Sequence, residues 1–108
     1  MADASTVHRD AVIIDGQGVT VLLPVAQIPQ PPIDGKAYLD RALEAGVSAQ
    51  NVTLGIGGIG MGTDDFRALL HTMHGHYCYF EIEPKLMLVE TAADIRRAKK
   101  EGRLGVIF

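Results

Sequence analysis

The sequence predicts an α/β fold with at least three parallel strands, and two observations carry that reading. The first is a pair of short, continuous apolar runs, "AVII" from Ala11 to Ile14 and "LGVIF" from Leu104 to Phe108. Unbroken apolar runs of this length have the composition of strands buried on both faces. The second is a repeated joint: "LDRALEAG" runs straight into "VSAQNVTL", and "IRRAKKEG" runs straight into "RLGVIF". Each is an amphipathic helix, a glycine and then a strand within about two residues, the short connection typical of strand–helix–strand units.

The elements follow in order. The run Ala11–Ile14 is a strand that ends at Asp15-Gly16. Residues 17–35 form a proline-rich loop, because prolines at 24, 29, 31 and 32 exclude a central strand or a long helix. A short edge strand at Val19–Leu23 fits within it. A helix is expected at about Gly35–Ala45, with Leu39, Ala42 and Leu43 at i, i+3 and i+4 and Gly46 as a left-handed cap. The strand Val47–Leu54 comes next, then a glycine loop.

A second helix is expected from Thr63, with Phe66, Leu69, Leu70 and Met73 on one stripe. Thr63 suits the N-cap, and Asp64 and Asp65 suit the positive first turn. "YCYFEIE" has strand propensity but sits between Gly75 and Pro84, so its state stays open. "KLMLV" is a short strand. "TAADIRRAKKEG" carries a complete helix signature, with Thr91 and Asp94 as a capping box and Gly102 as the stop. No helix follows the strand "LGVIF" to cover it. Residues 1–108 therefore read as one partial domain, the N-terminal piece of something larger or a domain completed by a partner.

Composition narrows the function. A chain of 108 residues holds one small domain. Its net charge of −3 is dispersed, which leaves no footprint for nucleic acid or an anionic membrane. The basic group Arg96, Arg97, Lys99, Lys100 and Arg103 reads as a solvated helix face. Cys78 is the only cysteine and forms no internal disulfide. "MADASTVHRD" lacks an apolar signal core, and no apolar run approaches the ~18 residues of a membrane span. The expected location is cytoplasmic.

Three stretches carry candidate chemistry. "GIGGIG", Gly55 to Gly60, spells the dinucleotide-binding pattern G-x-G-x-x-G, and Glu81 and Glu83 lie about where a ribose-binding acid belongs, roughly 20 residues on. Against it, Met61 and Gly62 delay the helix, whose first residues Asp64 and Asp65 repel phosphate. The alternative is a flexible loop at a strand's carboxyl end. "HTMHGHYC" groups His71, His74, His76 and Cys78, all metal-ligand types, with His8 the sole histidine elsewhere to complete a site. The alternative is a polar helix face fraying at Gly75 beside an inert thiol. In "AVIIDGQGV", Asp15 and Gln17 occupy the carboxyl end of the first strand, where parallel α/β folds place their chemistry. Asp15 reads there as a ligand or base, or as the cap of an Asp-Gly turn.

Together, "AVIIDGQGV", "LEAGVSAQNVTLG" and above all "LMLVETAADIRRAKKEGRLGVIF" resemble the N-terminal part of the membrane (renal) dipeptidase family of zinc metallopeptidases. The resemblance spans nearly the whole chain, more weakly in the proline-rich and histidine-rich stretches. It implies the first three strands of a (β/α)8 TIM-type barrel, which needs about 250 residues to close. It also implies hydrolysis of a small peptide by metal-activated water in a full-length chain.

The family's first motif is an Asp-Gly-His-x-Asp turn whose His and second Asp bind metal. Asp15 and Gly16 match it, but Gln17 and Val19 stand at the ligand positions, as in relatives that lack that His and Asp. No family metal ligand is retained, so the zinc of the resembled family has no holder here. Asp15 and Gln17 are the residues expected at the active-site mouth, and Gly55 to Gly60 are expected to form a loop of the same face. Residues 1–108 alone are expected to be inactive. Two other function classes stay open: a non-catalytic module that self-associates through uncovered strands, and a dinucleotide-binding half-domain.

Overall fold

The computed structural model describes residues 3–16, 32–52 and 65–108. In chain order the elements are α1 (Ala4–Asp10), β1 (Ile13–Asp15), α2 (Tyr38–Glu44), β2 (Val47–Asn51), α3 (Asp65–Ile82), β3 (Leu86–Leu88), α4 (Ala92–Glu101) and β4 (Leu104–Ile107). The four strands form one sheet in the order β1-β2-β4-β3, and every pairing is parallel. The predicted α/β class is the observed one. With β3 set aside as an edge strand, β1, β2 and β4 stand side by side in chain order, as consecutive barrel strands do.

Register decides which residues share a face. Asp15 pairs with Gln50, Gln50 with Val106, and Leu88 with Val106, so these four lie on one side of the sheet. Leu39 and Ala42 of α2 join Val52, Leu86, Leu104 and Val106 in the main core cluster, with Tyr79 and Phe80 of α3 packed against it. The other side carries Ile14, Ala49, Gly105 and Met87. The step from β1 to β2 and the step from β3 to β4 run in opposite directions across the sheet. Right-handed crossovers therefore put α2 and α4 on opposite faces. Helix α4, with Ala98 fully buried, packs against β2 and β4, where Ala49 and Gly105 leave room for a close approach.

This corrects the expectation of an uncovered last strand. Leu104, Gly105 and Val106 are all buried, because helices within the described residues cover both sides of β4. What stays open is the edge: among the described residues β1 pairs only with β2, and β3 only with β4.

Local signals explain most boundaries. Thr91 and Asp94 form the expected reciprocal capping box, and Gly102 closes α4 at φ 66°. Gly46, at φ 81°, turns the chain from α2 into β2 as expected. Helix α2 starts later than predicted, at Tyr38, because Asp34 and Gly35 both take positive φ in the tight turn closed by Ile33 and Lys36.

Two helices depart from the prediction. Helix α3 does not fray at Gly75 but runs through "YCYFEI" to Ile82, held by His76, Tyr77 and Phe80 against Phe108. Helix α1 was not predicted, although Asp3 caps it by accepting from the Thr6 amide. The expected residues Val19–Leu23, Thr53–Leu54, Gly55–Gly60, Thr63 and Asp64 lie outside the described residues. Among those that are described, no helix is long and apolar enough to cross a membrane.

Candidate functional site

Asp15 ends β1, and Gln50 stands opposite it on β2. The Gln50 amide donates from Nε2 to Asp15 Oδ2 at 3.1 Å and to the Tyr38 hydroxyl, at the start of α2, at 2.9 Å. Three elements thus converge on one buried amide. Gln50 is 1% exposed, and its Oε1 finds no hydrogen-bond partner among the described residues. Ser48, on the same face, accepts from the Ile13 amide and so pins β1 to β2. The arrangement orients a carboxylate at the carboxyl end of a parallel strand. Gln17 and Val19 lie outside the described residues.

The sequence pointed to Asp15 but not to Gln50 or Tyr38. Gln50 reads locally as one polar residue in a strand, and only the β1–β2 register brings it to Asp15. Tyr38 carried no signal beyond its place at the head of an amphipathic helix.

The histidine group divides. His76 is 3% exposed and stacks on Phe108 with ring centroids 5.5 Å apart, so it belongs to the core. Burial holds its imidazole below the ordinary histidine pKa. His71, His74 and Cys78 stay exposed on α3, with Cys78 Sγ 3.6 Å from His74 Nε2. His8 is remote from them in role: its Nε2 contacts the Ala45 carbonyl at the end of α2. Glu83 accepts from the Lys85 amide in the turn after α3, and Glu81 is exposed on that helix. Among the described residues, no three His, Cys, Asp or Glu side chains are grouped to hold a metal ion.

The basic group is not merely a solvated face. Lys99 donates to the carbonyls of Arg9 and Ala11, and Arg103 donates to the Leu86 carbonyl and pairs with Glu101. Arg97 pairs with Asp94. Lys99 and Arg103 thus satisfy carbonyl groups in α1, just before β1 and at the start of β3.

The chain is similar in structure to an amidohydrolase from Pseudomonas aeruginosa, with a TM-score of 0.64 and 20% sequence identity over 94% of this chain. The sheet is similar to part of the fold of that structure. At that identity the likeness is one of architecture, and the chain spans 26% of the length of the structure it matches, consistent with a portion of a TIM-type barrel. No family model and no curated protein matches the sequence.

Proposed function

We propose that residues 1–108 are the opening strand–helix units of a dipeptidase-like hydrolase barrel, inactive by themselves. The observation that carries this is Asp15, fixed by buried Gln50 at the carboxyl end of the first of three parallel strands that stand in chain order. The likeness to 26% of an amidohydrolase structure supports a partial barrel, and the residue pattern of "LMLVETAADIRRAKKEGRLGVIF" supports the dipeptidase subgroup. The reaction would be addition of water to a dipeptide amide bond.

The two-metal centre of the resembled family does not fit this chain. Its ligand positions hold a neutral amide, Gln17, and an alkyl group, Val19, and the described residues group no three donors. What the chain itself supplies is orientation. The Tyr38 hydroxyl and the Asp15 carboxylate share the Gln50 amide as donor, which orients the carboxylate at the carboxyl end of β1, where the mouth of the proposed barrel would lie. An assay of dipeptide hydrolysis, run on residues 1–108 and on the product of the intact reading frame, tests the reading. Hydrolysis confined to the longer protein supports it; hydrolysis by neither, with correctly folded material, counts against it.

One observation favours a second reading, a self-associating module. Val12 and Ile14, beside and within edge strand β1, are 47% and 49% exposed. An apolar edge strand invites pairing with another copy. Sedimentation of wild type and Ile14→Lys separates the readings, since only an assembly module shifts from oligomer to monomer.

A further inference from the structure

Helix α3 turns His76, Tyr79 and Phe80 toward the core. Away from them, Phe66, Leu70, His74, Tyr77 and Glu81 follow at intervals of four, four, three and four residues, and all five are exposed. At about 100° per residue, that spacing keeps them within about 80° of arc, as one stripe. Phe66 is 73% exposed, and Ile82, at the end of the helix, is 76% exposed.

The stripe borders a recess. Arg67, Leu70, His71 and His74 line an open groove of about 300 Å³. Their spacing, i, i+3, i+4 and i+7, is that of the four-residue hole that receives one side chain of a facing helix. Charge is divided along the same face, with Arg67 near the amino end of α3 and Glu81 near its carboxyl end. Among the described residues, neither has an ion-pair partner.

We propose that this face of α3 is an interface between two copies of the chain, paired antiparallel about a two-fold axis at His74. Such pairing sets Arg67 opposite the second copy's Glu81, and does so twice by symmetry. It also brings Phe66 against the second copy's Ile82 and Tyr77 over the second copy's hole. Parallel pairing would set Arg67 against Arg67 and Glu81 against Glu81, which repulsion disfavours. A second copy therefore supplies the apolar side chains, the residue that fills the groove and both opposite charges. The contact is separate from the β1 edge and does not rest on the hydrolase reading. Along about 27 Å of helix, it has the scale of a weak, reversible interface.

The test is sedimentation equilibrium of the 108-residue chain from about 1 µM to about 1 mM, a range suited to weak association. The mass should rise with concentration from 11.6 kDa toward twice that value. Leu70→Glu should abolish the rise, and Ile14→Lys should leave it unchanged. Arg67→Glu and Glu81→Arg should each weaken association at least about tenfold by setting like charges together. The double variant Arg67→Glu/Glu81→Arg restores opposite charges and should recover it. All four side chains are exposed, so circular dichroism should show every variant folded. A chain that stays monomeric throughout, a dimer that survives Leu70→Glu or is lost in Ile14→Lys, or a charge swap that fails to rescue overturns the interface.

Discussion

The Gln50 side chain bridges β1 and α2 by donating from one nitrogen to both the Asp15 carboxylate and the Tyr38 hydroxyl. A carboxylate in its place has no proton to give. Gln50→Glu should therefore set two acids against each other in a buried site and destabilise the fold at pH 7 by about 3 kcal/mol, the scale of an uncompensated buried charge. The repulsion raises the folded-state pKa of the pair above its unfolded value. Stability relative to wild type should then recover as the pH falls through that range and one proton is shared. Urea unfolding of both proteins at neutral and acidic pH checks this.

Gly105 sits where β2, β3 and β4 crowd together. A Cβ there would meet Val89 Cγ2 at 2.6 Å, Ala49 Cβ at 3.3 Å and the Ser48 carbonyl at 3.3 Å. Gly105→Ala should cost about 1–3 kcal/mol through overpacking. Val89 is β-branched and stiff, so the clash is not relieved by rotation. The double variant with Val89→Ala should be more stable than the sum of the single changes, measured by a double-mutant cycle.

His76 gives the fold a pH dependence. Burial lowers its pKa in the folded state, so the unfolded chain takes up a proton that the folded chain resists. Its contribution is neutral above the ordinary histidine value of about 6.5 and becomes destabilising as the pH falls below it. His76→Leu should flatten the stability profile between about pH 7.5 and pH 5.5. A variant that keeps the full slope would place the titration elsewhere.

Lys99 ties α1 to the body of the protein by donating to the carbonyls of Arg9 and Ala11. Lys99→Met keeps the aliphatic stem and removes the donors. Amide exchange should then accelerate in Ala4–Asp10 while β2 and β4 keep their protection, because α1 contributes no buried residue to the core.

Where structure followed from contacts between neighbours in sequence, it was legible. Thr91, Asp94 and Gly102 mark α4 because a capping box and a left-handed stop are local devices. The parallel strands were legible as apolar runs following glycine-capped helices. Helix α3 was not, since Gly75 and the aromatic "YCYF" argue against helix locally, while contacts distant in sequence, Phe108 among them, hold His76 and Phe80 in place. The sheet order was equally hidden, because no local signal says that β4 enters between β2 and β3. At the site, Asp15 was legible from its place at a strand end. Its partner Gln50 depends on a register between strands 35 residues apart.

The most direct test of the barrel-hydrolase reading is to determine the genomic reading frame downstream of Phe108. A complete barrel needs about 250 residues, so the account predicts at least about 140 more, with a strand-end glutamate and two later histidines among them. A stop codon directly after Phe108 would contradict it and leave self-association as the reading to pursue.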